Sequence, residues 1–215
     1  MIDRLAFFAS KEEFEEYFNL LTGKKAIFEP HYNLAPAQEI PVLLTSDDNE
    51  VKIVRARWGI NSENPSATGT HNISVEDAKD KIKSKDYSAC IIPVSGFYIW
   101  KKDNKEKQPF FVRMLNDPVM AIAGLVKTAP EINKLQCTLI TTEANALLQP
   151  LVDLMPLLFK SALARTWLTK PEEQQDVLLQ AEKLFLLTEM TVHRVSKKVN
   201  DISNNDPNLV QPIPK

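Results

Sequence analysis

The side chains able to do chemistry are few and scattered. Three histidines (His31, His71, His193) and two cysteines (Cys90, Cys137) lie far apart. None falls at the short spacing by which one turn or helix presents two ligands to zinc, so no metal site is expected. Each cysteine sits in an apolar run, SACIIPV or LQCTLITT, as a buried reduced thiol does. The densest group is His71-Asn72-Ile73-Ser74-Val75-Glu76, which sets an imidazole, a carboxamide, a hydroxyl and a carboxylate close together. With Asp153 brought in from elsewhere, His71 and Ser74 supply the formula of a hydrolase: nucleophile, base, and an acid to orient the base. Arg4 and Trp58 add a cation and an aromatic plane of the kinds that hold a phosphate and stack a base. Only five glycines (Gly23, Gly59, Gly69, Gly96, Gly124) occur, against about fifteen in average usage. They are spread singly, so neither a P-loop nor a dinucleotide fingerprint can be written, and no cofactor is expected.

The elements that must position these groups follow from periodicity. Ser10 and Glu13 form a capping box before Phe14, Tyr17, Phe18 and Leu21, which predicts an amphipathic helix over 11–22, closed at Gly23. Pro36 and Pro41 make HYNLAPAQEIPVLL extended, entering a strand at 41–45 that turns at SDDNE into a partner at 51–57. The polar stretch after Trp58 reads as a loop of functional length, and SVEDAKDKIKSK as a helix capped by Ser74. Residues 87–94, 96–101, 109–115, 118–126 and 136–142 read as consecutive strands. A short helix is predicted at EANALLQPL, a longer one over 171–184 with Pro171 in its first turn, and a strand at MTVHRV. Residues 200–215 are polar and proline-rich and are expected to lie extended against the body.

These elements predict one α+β domain over residues 1–215, with a mainly antiparallel, strongly curved, barrel-like sheet flanked by helices. The formal charge is −2, less basic than a chain living on phosphate attraction. Lys79, Lys81, Lys83 and Lys85, spaced by two, fall on different sides of a helix and read as a solvated face. No signal-like segment or long apolar run appears, so a cytoplasmic protein without membrane contact is expected.

The order of short motifs is specific. YNLAPAQ, RWG, an asparagine before a helix, CIIPVSGFYIW, PFFV, AIAGL, TLITTEAN, a Met-Pro, and VSKKVN with NDPNLVQPI follow one another along essentially the whole chain. This resembles the SOS-response-associated peptidase (SRAP) family, whose members process abasic sites in single-stranded DNA. The resemblance implies a covalent reaction in which an N-terminal cysteine at the second position traps the ring-opened sugar aldehyde. Here that position is Ile2, whose bulk also disfavours removal of Met1, and the glycine expected beside it is Asp3. The family's Asn-Ala-Arg-x-Glu matches Asn72-Ile73-Ser74-Val75-Glu76, with a DNA-contacting arginine replaced by Ser74. Its Gly-Phe-Tyr-Glu-Trp matches Gly96-Phe97-Tyr98-Ile99-Trp100, and its His-Asp-Arg-Met-Pro matches Val152-Asp153-Leu154-Met155-Pro156. Thiol, carboxylate and imidazole are thus aliphatic, at Ile2, Ile99 and Val152, while the framework around them stands.

The resemblance therefore implies a catalytically inactive relative, a pseudoenzyme. It would keep non-covalent single-stranded DNA binding or serve as a scaffold for a protein partner in the DNA damage response. The alternative is an active hydrolase, peptidase or lyase built on Asn72, Glu76, Asp153 and His71. Among the nucleic-acid-binding candidates, Arg4 reads as a phosphate contact or a structural ion pair, and Trp58 as a base-stacking face or a core residue. Asn72 positions a ligand or satisfies a loop, and Glu76 serves the site or pairs with a lysine. His31 offers weak positive character, His193 reads as a sheet residue, and His71, next to Asn72 in extended chain, is expected to point to the opposite side.

Overall fold

A five-stranded closed barrel organises the molecule, and the chain wraps a second, smaller sheet against it. The structure, a computed structural model, describes residues 1–20, 29–46, 48–60, 68–84, 86–101, 107–129, 134–183 and 189–214. The barrel strands are β3 (Glu39–Thr45), β4 (Val51–Trp58), β6 (Ser88–Val94), β9 (Met120–Ala129) and β10 (Lys134–Glu143). They follow one another around the ring as β10-β4-β3-β6-β9 and back to β10. Most neighbours are antiparallel, but β10 runs parallel to β4 through Gln136↔Arg57 and Cys137↔Trp58. It also runs parallel to β5 (Asn72–Ser74) through Leu139↔Asn72, Ile140↔Ile73 and Thr141↔Ser74. The mainly antiparallel, curved α+β reading is therefore correct, and the parallel β4–β10 seam is one of the links that close the ring.

The second sheet orders β13 (Met190–Arg194), β8 (Pro109–Met114), β7 (Gly96–Trp100), β1 (Leu5–Phe7) and β2 (His31–Leu34). Its two faces serve two cores. Leu5, Phe7, Phe97, Ile99 and Val112 belong to the main barrel core, whereas Ala6, Tyr98 and Phe111 pack on a smaller cluster with Val195, Val199, Leu209 and Val210. Alternate residues of one strand face opposite ways, which is why GFYIW is apolar throughout. Gly96 is required by this packing: a Cβ there would sit 2.3 Å from the Phe111 ring and 2.5 Å from the Val112 carbonyl oxygen.

The C-terminal segment is the cover of that smaller core. It is not simply extended, as expected from its prolines, but folds into 3-10 turns at Lys197–Asn200 and Pro207–Val210. Fully buried Asn33 ties it down, its Nδ2 donating to the carbonyls of Val199 (3.2 Å), Asp201 (2.9 Å) and Asn204 (3.1 Å). His193 Nε2 meets Val210 O at 2.8 Å, and Trp100 Nε1 donates to Asn200 Oδ1 at 2.8 Å. His193 is thus the sheet residue expected of it.

Helix α1 (Lys11–Phe18) begins on the predicted capping box, Ser10 Oγ accepting from Glu13 N and Glu13 Oε2 from Ser10 N. It ends earlier than expected, at Asn19, whose φ of 47° is left-handed; Gly23 lies outside the described residues. α2 (Val75–Lys81) is capped by Ser74 as predicted. The expected short helix at EANALLQPL is instead a series of turns. Asn145 holds them by accepting from Leu148 N at 3.1 Å, an alternative to helix that asparagine favours. Two short strands, β11 (Leu154–Pro156) and β12 (Leu158–Phe159), follow. α3 (Ser161–Thr169) covers one side of the barrel, Trp167 Nε1 donating to Cys90 O at 2.9 Å. Pro171 opens a 3-10 turn that leads into α4 (Gln174–Lys183), so the predicted helix is present with a tightened start. Among the described residues no helix is long and apolar enough to cross a membrane.

Candidate functional site

The site is built where the chain start meets the strand that follows the long loop. β1 pairs with β7 through Leu5↔Phe97, and Tyr98 N donates to Arg4 O at 3.0 Å, so the residues before Leu5 run alongside Ile99. From the other side β5 delivers Asn72. Its carboxamide grips both backbone groups of the second residue: Nδ2 donates to Ile2 O at 3.0 Å and Oδ1 accepts from Ile2 N at 3.4 Å. Residues 70 positions apart are thereby locked together. Asn72 acts here as a positioner of the chain start.

The segment carrying Asn72 is itself held to the barrel. The His71 carbonyl accepts from Leu139 N at 3.2 Å and from Trp58 Nε1 at 2.9 Å, and Thr141 Oγ1 donates to Ile73 O at 3.0 Å. Trp58 is fully buried, its ring meeting His71 edge-on at 5.7 Å. Of the two expectations for Trp58, the core residue is correct: a ring with no exposed face offers nothing for a base to stack on. At Gly59 (φ +123°) the chain turns so tightly that a Cβ would lie 1.8 Å from Thr68 O.

His71 also reaches the chain start. Its Nε2 lies 2.9 Å from Asp3 Oδ1, and its Nδ1 lies 3.3 Å from Gly69 O. This corrects the expectation that His71 points away from the residues that Asn72 serves. Strict alternation holds only inside a strand, and the strand starts at Asn72. The partner that sequence reasoning missed is Asp3, and its only signal was a carboxylate in the place where the resemblance calls for glycine. The hydrogen bond from His71 holds the Asp3 carboxyl below its ordinary pKa, against an opposing desolvation.

Arg4 is half-buried. Its Nη1 donates to the carbonyl of Asp3 at 2.7 Å, and its buried Nε has no hydrogen-bond partner. Among the described residues it makes no ion pair with a carboxylate. Burial lowers the guanidinium's pKa, with Asp3 opposing.

The remaining candidates separate. Ile2, Ile99 and Val152 are all buried within the main core, with 0%, 1% and 9% of their surface exposed. Ser74 Oγ is spent on Asp77, accepting from its N at 3.0 Å and donating to Oδ2 at 2.9 Å. His71 Nε2 is spent on Asp3. Ser74 Oγ and His71 Nε2 therefore serve different partners, Asp77 and Asp3. Glu76 is exposed in the first turn of α2, where a negative charge suits the helix N-terminus. Among the described residues it makes no ion pair. Exposed Asp153 and Leu154 lead into β11, and Asp153 O accepts from Ala144 N at 2.8 Å. His31 lies in β2, where Nδ1 accepts from Asn33 N at 3.2 Å and burial and Arg55 lower its pKa, so it adds little positive character. Cys90 and Cys137 are free and fully buried, with burial pushing both thiols up.

Residues 1–202 match the family described as SOS response associated peptidase (SRAP). The abasic site processing protein YoqW of Bacillus subtilis is 28% identical over 98% of this chain and 99% of its own. The abasic site processing protein HMCES of Xenopus tropicalis is 24% identical over 96% of this chain and 73% of its own. A solved structure of a protein from Bacteroides thetaiotaomicron superposes with a TM-score of 0.76 at 19% identity, covering 98% of this chain and 99% of that one. With its motifs in order from the chain start to the C-terminal turns, the chain belongs to the SOS response associated peptidase (SRAP) family.

Proposed function

We propose that this chain is a non-catalytic SRAP protein that binds single-stranded DNA without forming a covalent bond to it. The observation that carries the reading is the fate of Ile2, Ile99 and Val152. These positions, which the family's motifs assign to the nucleophile, the acid–base carboxylate and the imidazole, are aliphatic and buried in one core. A general acid or base contributes about 10²–10⁴-fold, and a covalent mechanism has no route without its nucleophile. The scaffold around those positions is kept in working order: Asn72 still clamps the backbone of residue 2, and Trp58 and Thr141 still fix the Asn72 segment. Arg4, the cation beside the chain start, is the phosphate contact, and Asn72 and His71 hold the chain start that carries it. Trp58 acts by support. The relatives named above process abasic sites, and DNA is the partner that their names point to.

The test is a single-stranded oligonucleotide with one abasic site, incubated with the protein and resolved on a native and on a denaturing gel. A shift on the native gel that vanishes on the denaturing gel is the expected result. An adduct surviving denaturation would overturn the non-catalytic reading, and absence of any shift would overturn the binding.

A further inference from the structure

We infer that Lys81, Tyr87 and Lys127 form a phosphate-binding site, separate from the chain-start site, for the backbone of a single-stranded nucleic acid. This rests on the binding proposed above and extends it to a second point of contact. The three residues come from different elements. Lys81 ends α2, Tyr87 immediately precedes β6, and Lys127 lies in β9. The β6–β9 register of Ser88↔Val126, carried one position on, sets Tyr87 beside Lys127. Both ammonium groups stand over the same ring, Lys81 Nζ at 4.9 Å from its centroid and Lys127 Nζ at 5.3 Å. They are therefore within about 10 Å of each other, a distance at which like charges on a shared cation–π partner still repel.

That repulsion is uncompensated. Neighbouring lysines are neutralised, Lys79 by Glu182 at 3.2 Å and Lys83 by Asp80 at 3.4 Å. Among the described residues neither Lys81 nor Lys127 has a carboxylate within ion-pair distance. A lysine stem lying on a tyrosine is ordinary surface packing. A second ammonium drawn over the same ring, in a chain whose net charge is −2, is not, and it leaves a locally positive point that an anion would relieve. The ring is already engaged by the two cations, so the group recognised is a phosphate and not a stacked base.

The experiment titrates fluorescein-labelled oligo(dT), without an abasic site, by anisotropy over a range of salt concentrations. It compares the native chain with the double variant Lys81→Ala/Lys127→Ala and with Lys83→Ala, whose ammonium is already paired. Each phosphate contact on a single strand contributes about 0.7 to the slope of log K against log salt. The double variant is expected to lose about 0.7 from that slope and about 5-fold in affinity near 0.1 M salt, while Lys83→Ala keeps both. Equal slopes and affinities for the native chain and the double variant would overturn the site. If the native chain fails to bind oligo(dT), the DNA-binding reading falls, and titration with pyrophosphate decides the site alone. A shift of the Tyr87 ring resonances in the native chain that disappears in the double variant retains it for free phosphate, and no shift ends it.

Discussion

At the scale of single residues, the contact between His71 and Asp3 is the feature that sets this chain start apart. A carboxylate hydrogen-bonded by an imidazole is favoured in its ionised form, so the folded pKa of Asp3 lies below its ordinary value of 3.8. The stability it contributes is complete above the ordinary value and is lost as pH falls through the lower folded one. The Asp3 side chain is 43% exposed, which limits the gain to under about 1 kcal/mol. Asp3→Asn is accordingly expected to lower unfolding free energy by a few tenths of a kcal/mol near neutral pH, with the difference closing as pH falls below the ordinary carboxylate range. Urea titrations of both forms between about pH 2 and pH 6 measure it, and a difference constant over that range contradicts the assignment. This pair was not legible beforehand: the two residues are 68 positions apart, and no local spacing connects them. Asn72 was legible, because its place between a loop and a capped helix is a local pattern. What it holds, the backbone of Ile2, was not.

At the scale of elements, legibility followed locality. The capping box of α1, the Ser74 cap of α2 and the β3–β4 hairpin rest on residues a few positions apart, and all formed as read. The turns at 146–151 and the strands β11 and β12 depend on what they pack against, and the pattern of their own residues misleads or says nothing. The C-terminal segment makes the same point with a measurable consequence. Its attachment is concentrated in Asn33, which gives one amide nitrogen to three carbonyls in the smaller core. Truncation to alanine removes these bonds and leaves buried carbonyl oxygen unsatisfied, at a cost of about 2–3 kcal/mol. Asn33→Ala is therefore expected to lower the unfolding free energy from urea titration by that amount and to open the chain after Val195 to limited proteolysis, with the barrel still intact. Uniform protection of both forms would show that the apolar burial of Val199, Leu209 and Val210 and the bonds from Trp100 and His193 hold the segment without Asn33.

At the scale of the whole molecule, the barrel has no edge, and this bears on how it opens. An open sheet frays from its outer strands, whereas a ring whose last strand returns to its first must break an internal seam. The seams are unequal. β3 and β4 pair continuously from Glu39↔Arg57 to Thr45↔Val51, while β10 meets β4 at Gln136↔Arg57 and Cys137↔Trp58, and β3 meets β6 at Leu43↔Ile91. The two cysteines report on this directly. Cys137 lies in the short parallel seam, and Cys90 lies across β9 from it, opposite Gly124 in the long β6–β9 pairing. Both thiols are fully buried, and burial holds both in the protonated, unreactive form. Neither can react with an aromatic disulfide reagent until the protein opens around it. If Trp58, packed on His71 and bonded to its carbonyl, fastens the short seam as firmly as the long pairings, both thiols become reactive only on global unfolding. Their labelling rates then rise together with urea, with a dependence equal to the equilibrium m-value. That is the expected outcome, because the β4–β10 seam is backed by Gly59 N donating to Cys137 O at 2.8 Å and by the Trp58 indole behind it. Labelling of Cys137 ahead of Cys90, with a shallower urea dependence, would instead identify the parallel seam as the place where the ring first parts.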